Sequence, residues 1–389
     1  MFKHLFKLIW NKKKQNFLLM TEMFFSFLVM FAVFSLMVYE YMNYKKPMGF
    51  AYENVWTVNV SYPENIHSAD SLQQYQQTLK QLIKSMPQVN EVSFASRNVP
   101  FSANMMSNMT SYNKKEEQAN TFIVDDSYDN VLNLSLKEGK WFTKADNAGK
   151  EKPVVINETL KEKLFGNESA IGKIITPDDM KVVGVMNNIK EKGDYQAIES
   201  GYYRRADTSN VGNMASIMVA VKPNTNAAFE ARLYKTVSNY LNTSNLEIEH
   251  LSKKRISKNN QTLVPMIILS IVAGFLIINV ALGLFGVLWY NINKRKGEIG
   301  LRRAVGATGN SVSKQLVGEA WVLATISLII GCFFAFQFPL LNVFDLPAGI
   351  YLVAIGLAIA FIYVLVTVCA LYPGKQAAAI YPAVALHEE

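Results

Sequence analysis

The chain has 389 residues, 50% hydrophobic and 18% charged, with 39 Lys and Arg against 31 Asp and Glu for a formal charge of +8. A mean hydropathy of +0.10 is too high for an ordinary soluble domain and too low for a chain lying wholly in a bilayer, and the apolar content excludes disorder. A disulfide scaffold is excluded as well, since the two cysteines, Cys332 and Cys369, both lie in apolar runs.

Residues 1–16 set Phe2, Leu5, Phe6, Leu8 and Ile9 on a helical stripe opposite lysines, the pattern of an amphipathic helix in the inner membrane interface. Phe17–Tyr39 is too long for the apolar core of a secretory signal and has no cleavage site after it. It reads as a retained first span. Its single charge, Glu22, is placed to snorkel to the inner headgroups, or to pair with a basic residue of a later loop or of a partner protomer.

Residues 40–262 are the polar part, with 27 Lys and Arg, 25 Asp and Glu and no cysteine. Alternation over Val55–Ser61, helical spacing over Ser71–Met86 and alternation over Val89–Ala95 read strand–helix–strand. Ser216–Val221, Ala227–Leu241 and Leu246–His250 repeat that order. Two such units around an insert of about 110 residues predict an α+β domain, a split βαβ subdomain with a strand-rich subdomain inserted into it. Inside the insert, Thr121–Val124, Pro153–Asn157 and Lys181–Met186 read as strands and Glu158–Phe165 as a short helix. The acidic groups Asp125-Asp126-Asp129 and Asp178-Asp179 read as solvated turn residues. Gly166 to Gly172-Lys173 has neither the spacing nor the following Ser or Thr of a phosphate loop.

Leu263–Trp289, Val317–Leu340 and Gly349–Tyr372 are three further runs able to cross about 30 Å of hydrocarbon. Asn279 reads as an interhelical hydrogen-bonding residue, and Gly283, Gly286, Gly356, Ala358 and Ala360 as close-packing faces. Basic residues crowd the leader and the 290–316 connection, whereas the 341–348 hairpin carries only Asp345. That asymmetry predicts cytoplasmic termini, a cytoplasmic 290–316 loop and 373–389 tail, and residues 40–262 outside. The expected fold class is a polytopic α-helical membrane protein with four transmembrane helices and a large extracytoplasmic α+β domain.

Within the loop, Glu298–Val305 forms a short helix with Gly306 at a left-handed C-cap and a Glu298–Arg302 pair at i,i+4. Ile299, Leu301 and Val305 leave apolar surface on a helix too short to stand alone, so it needs something to dock against. By composition alone the loop equally suits binding of lipid headgroups.

Longer strings carry a resemblance. "LSLKEGKWFTKAD" (Leu134–Asp146), "PVVINETLKEKLFGNESAIGKII" (Pro153–Ile175) and "KVVGVMNNI" (Lys181–Ile189) resemble the periplasmic core domain of MacB-like ABC transporter permeases. "KRKGEIGLRRAVGAT" (Lys294–Thr308) resembles the signature of the FtsX/MacB permease superfamily, where it forms a coupling helix seated in a groove of the ATPase subunit. Carried over by position, Glu298, Ile299, Gly300, Leu301, Arg302, Arg303, Ala304 and Gly306 match that signature, and Glu319 resembles the acidic residue shortly after it. The tail resembles the family ending through Pro373, Ala377 or Ala378, Pro382 and Ala385-Leu386, with His387 where the family often has Arg.

The resemblance implies a non-catalytic permease subunit of a bacterial inner membrane, acting as a homodimer or as a heterodimer with a related permease. ATP and Mg would be bound by a separate cytoplasmic ABC ATPase. This chain has no GxxxxGK[ST], and His4, His67, His250 and His387 are scattered without metal-ligand spacing, so no cofactor is expected in it. A periplasmic adaptor or substrate protein and membrane lipids are the other expected partners. Nucleic acid is not, because the basic stretches lie against the membrane. The leading reading is mechanotransmission for efflux or extrusion. Regulation of an extracytoplasmic cell-wall enzyme, as in FtsX-type proteins, and lipoprotein extraction stay open beside it.

Overall fold

The computed structural model describes residues 13–379 apart from 64, 65 and 67. Residues 1–12 of the amphipathic leader expected over residues 1–16, with its whole apolar stripe, and the tail matches at Pro382, Ala385-Leu386 and His387 lie outside the described residues. Contacts divide the chain into two compact units, the apolar helices with their connections and Asn43–Thr262.

In the Asn43–Thr262 unit the strands are β1 (Val55–Asn59), β2 (Val89–Ala95), β3 (Ser107–Tyr112), β4 (Lys115–Val124), β5 (Leu136–Gly139), β6 (Lys152–Asn157), β7 (Ile174–Ile175), β8 (Met180–Met186), β9 (Gly201–Arg205), β10 (Ser216–Val221) and β11 (Glu247–His250). Their order is β11-β1-β10-β2-β4-β9-β6-β8-β5, with β3 on β4 and β7 on β8. In the first four strands every neighbouring pair is antiparallel, and β10 lies between β1 and β2. This is a split βαβ arrangement. Helices Ala69–Lys84 and Ala227–Leu241, capped by Ser68 and Asn226, bring Leu79, Ile83, Phe229, Leu233 and Val237 into one core with Trp56, Phe94 and Ile217.

The insert is strand-rich, as expected. Its strands continue the same sheet, joined to β2 through the single pair Ala95↔Val124. A second core of Phe122, Val124, Tyr128, Trp141, Phe142 and Tyr203 spans that junction. Parallel pairs β4–β9 and β6–β8 alternate with antiparallel β6–β9 and β5–β8. Helix Glu158–Phe165, capped by Asn157, covers the far end over Leu160, Leu164 and Val182.

The acidic turns are not merely solvated. Asp125 accepts from Lys80 Nζ at 2.7 Å, Ser93 Oγ at 2.6 Å, the Phe94 amide at 3.1 Å and the Ser127 amide at 3.0 Å. Asp126 takes Arg205 through two nitrogens, at 2.6 and 2.9 Å, and Asp178 pairs with Arg204 at 3.0 Å.

We number the helices in chain order: α1 (Lys13–Lys45), α2 (Ala69–Lys84), α3 (Tyr128–Leu132), α4 (Glu158–Phe165), α5 (Ala227–Leu241), α6 (Leu251–Lys294), α7 (Lys296–Ala304), α8 (Gly309–Ala335), α9 (Gln337–Leu340) and α10 (Ala348–Ala378). Among the described residues, four helices are long and apolar enough to cross a membrane: α1, α6, α8 extended through α9, and α10. Three outrun their apolar cores: α1 continues past Tyr39 to Lys45, α6 starts at Leu251 rather than Leu263, and α10 runs to Ala378. The third span breaks instead, with helix ending at Ala335 before the short α9. Phe27, Phe31, Leu284, Ala324, Leu328, Tyr351, Ala354 and Ala358 form the core of this unit. Only 11% of the most apolar stretch of α6 is buried, against 28–33% in the other three. The small residues are used unequally: Ala358 is buried and Gly283 meets Glu22, whereas Gly286 and Gly356 face open space and Ala360 is exposed.

Candidate coupling site between the second and third spans

Helix α7 has its acidic residue, Glu298, in the first turn and Arg302 and Arg303 in the last, the arrangement that suits the helix dipole. Its chain reverses at Gly306, whose φ of +103° is open to glycine and strained for residues with a Cβ. The amides of Gly306 and Ala307 then bond back to Arg303 and Arg302 carbonyls at 3.1 and 3.0 Å. Thr308 caps the following helix, accepting from the Ser311 amide at 3.3 Å.

One face of α7 is packed. Ile299, 4% exposed, sits among Ile292, Val312 and Ala377, and the neighbouring Gly300 is buried. Arg303 Nη1 donates to the Ala378 carbonyl at 2.5 Å, which ties α7 to the end of α10. The opposite face is open, with Leu301 57% and Val305 82% exposed and Ala304 and Gly306 exposed beside them.

A closed circuit of hydrogen bonds braces this helix. Arg295 Nε donates to Glu298 at 3.0 Å and its Nη1 to Glu319 at 2.7 Å. Gln315 Nε2 donates to Glu319 at 3.1 Å and its side-chain oxygen accepts from Arg302 Nη1 at 2.8 Å, while Arg302 Nη2 returns to Glu298 at 2.6 Å. Burial works against the charge on Arg295, but hydrogen bonds to Glu298 and Glu319 outweigh it and hold the guanidinium more firmly protonated. An exposed i,i+4 pair contributes only about 0.3–0.5 kcal/mol. Here the pair is one side of a circuit that crosses from α7 to α8, so its effect is positional.

All eight signature residues therefore share one short helix and its cap, and Glu319 reaches it through Arg295. Arg295 and Gln315 complete the circuit without standing out in the sequence. Their signal there is only the i,i+3 and i,i+4 spacing to Glu298 and Glu319.

The other polar residues singled out in the apolar helices are Glu22 and Asn279. The Glu22 carboxyl lies against Gly283 of α6, where an added Cβ would come within 2.2 Å of Oε1. Among the described residues it makes no ion pair. Among the described residues Asn279 makes no interhelical bond. It is exposed and donates to the Phe275 carbonyl of its own helix at 2.8 Å, because that acceptor lies one turn back on the same face.

Four membrane-capable helices among the described residues, an α/β domain between the first two and a braced helix between the second and third fit a multi-pass membrane protein. The MacB-like periplasmic core domain matches residues 17–235 and the FtsX-like permease C-terminal domain matches residues 270–382. The chain belongs to the MacB/FtsX-like family of ABC transporter permeases.

Among its relatives is the macrolide export ATP-binding/permease protein MacB of Aggregatibacter actinomycetemcomitans, 24% identical over 56% of this chain and 35% of that protein. The uncharacterized ABC transporter permeases YknZ and YvrN of Bacillus subtilis are 21% and 24% identical, over 57% and 68% of this chain and 57% and 69% of theirs. The chain thus spans about a third to just over half of the first relatives it matches. Of solved structures, the periplasmic region of MacB from Actinobacillus actinomycetemcomitans is 18% identical, covering 53% of this chain and 93% of that one at a TM-score of 0.38. The extracellular domain of YknZ is 16% identical, over 50% and 100%, at a TM-score of 0.36.

Proposed function

We propose that this chain is the transmembrane subunit through which a separate cytoplasmic ABC ATPase, holding ATP and Mg, drives movement of the Asn43–Thr262 domain on the outer side of a bacterial inner membrane. One observation carries the reading. Leu301 and Val305 present apolar surface at 57% and 82% exposure on a nine-residue helix whose other face is locked down. A helix that short gains its stability from packing, and a braced helix with an open apolar face suits a groove in a partner. Displacement of α7 would pass into α6, an unbroken helix of 44 residues. Pro265 removes one backbone hydrogen bond within it; the apolar turns that follow bond internally, as a helix in lipid requires, and would carry the displacement along α6.

Four spans enclose little space, so two such subunits, identical or related, would act together, and the outward work would be efflux or extrusion of a substrate. The test is co-purification with the ATPase. Leu301→Asp or Val305→Asp should abolish it while the variant still inserts in the membrane. Undiminished binding would sink the assignment.

A further inference from the structure

We propose that the turn joining α9 to α10 is a membrane wedge: Leu340, Leu341 and Phe344 insert into the headgroup–acyl boundary of the phospholipid leaflet at that end of the spans. The proposal rests on the chain being a multi-pass membrane protein and not on the coupling reading above.

The spans bring the turn to that boundary. From Val317 to Ala335 helix α8 rises about 27 Å, close to the roughly 30 Å of hydrocarbon it has to cross. The helix breaks there, and α9 and the turn over residues 342–345 follow before α10 starts at Ala348. A connection that met water would be polar, yet Asp345 is the only charged residue between Glu319 and Lys375. Leu340, Leu341 and Phe344 are instead 81%, 72% and 78% exposed. Bulky apolar residues clustered in this way mark a contact with lipid or protein.

The turn is pinned, so these residues are presented and not merely loose. Phe338 packs inward on Phe31, with ring centroids 5.4 Å apart, and on Tyr351 at 6.1 Å, and Leu346 joins the same core. The Tyr351 hydroxyl donates to the Val343 carbonyl at 2.5 Å, and the Asn342 amide donates to the Asp345 carboxylate at 2.9 Å. Phe344 holds a φ of +60°, a conformation bulky residues rarely adopt. Strain that turns a phenyl ring outward has no return in water. Inside a leaflet, burial of the ring offsets it.

The surface leading into the turn favours lipid over protein. Ile329, Phe333, Phe336 and Leu340 are all exposed and follow at four-, three- and four-residue spacing, one apolar stripe from α8 onto α9 without a polar break. Leu341 and Phe344 extend that stripe past its end. Backbone outside a helix stays out of the hydrocarbon, so the side chains enter the leaflet while the turn itself lies at the interface.

The full chain carrying Cys332→Ala and Cys369→Ala is reconstituted in nanodiscs of phosphatidylcholine and phosphatidylglycerol. A nitroxide spin label is attached at Leu341→Cys, at Phe344→Cys or, on the polar domain, at Ser244→Cys. Collision with oxygen, which concentrates in lipid, is compared with collision with a water-soluble nickel chelate. At 341 and 344 the oxygen-to-chelate ratio should exceed that at 244 by about threefold or more, as insertion at the headgroup–acyl boundary requires. Equal ratios at the three sites would put the turn in water and overturn the proposal. A strongly immobilised label shielded from both reagents would overturn it too, because it would mean a protein surface, of a second copy or of another partner. Leu341, whose φ of −92° is unstrained, decides the question if Phe344→Cys does not yield a monodisperse protein.

Discussion

Glu191 accepts a hydrogen bond from the Tyr203 hydroxyl, and its own carbonyl fixes the strained Phe101. Burial raises its carboxyl to about 7; the Tyr203 hydrogen bond and Lys192 work against this rise, and Glu199 adds to it. An acid whose folded pKa is raised keeps its proton longer in the native state than in the unfolded chain. Its contribution is fully present below about pH 4.5 and is lost as pH rises through about 7. The stability of the full chain should therefore fall between about pH 5 and pH 8 by on the order of 1 kcal/mol, seen as a lower thermal midpoint. Glu191→Gln, a neutral isostere, should flatten that part of the profile. If the slope is the same in the variant, the titration belongs to another group.

At the level of elements, the polar start of α6 is held by a clasp of its own. Arg255 forks onto Asp194 at 2.9 and 2.7 Å and reaches the Tyr52 hydroxyl at 2.6 Å, while Asn259 donates to the same carboxylate at 2.8 Å. Lys190, buried, donates to the Tyr44 and Asp194 carbonyls at 3.2 and 3.1 Å. Segments far apart in sequence are thereby joined. Asp194→Ala leaves a partly buried cation without its partner, so it should cost about 3 kcal/mol, seen as a lower unfolding midpoint. Asp194→Ala/Arg255→Met should recover part of that loss. A single-variant cost below about 0.5 kcal/mol would reduce the clasp to a surface pair. This clasp is invisible in sequence because residues 251–262 are polar and precede the apolar run, so neither hydropathy nor strand alternation marks them. By contrast, α2 and α5 are legible because Leu79, Ile83, Leu233 and Val237 recur at helical spacing over a buried face. Strand β9, reading Gly201–Arg205, has no alternation to betray it. Its place between β4 and β6 depends on pairing that is parallel on one side and antiparallel on the other. The signature helix is legible from local spacing, but the Arg302–Gln315 and Arg295–Glu319 bonds cross between helices and have no periodic trace.

For the molecule as a whole, the charge of +8 is unevenly spread, and the spread makes a claim about orientation. The 41–262 segment is nearly balanced, whereas the leader and the 290–316 connection carry eleven Lys and Arg against Glu298 alone. Basic residues near span ends resist translocation, so those two segments should share the cytoplasmic side and the α/β domain should lie opposite. Long domains cross membranes largely regardless of charge, which leaves the short segments to decide. Ser244, exposed after α5, and Ser311, exposed at the start of α8, are suitable reporters. Ser127 is a poorer one, being half-buried with its hydroxyl bound by Lys80. In a chain with Cys332 and Cys369 replaced by Ala, Ser244→Cys should react with an impermeant maleimide in cells whose inner membrane is intact. Ser311→Cys should react only once that membrane is opened. The reverse pattern would place α7 where no cytoplasmic ATPase could reach it, and the coupling proposal would fall with the orientation.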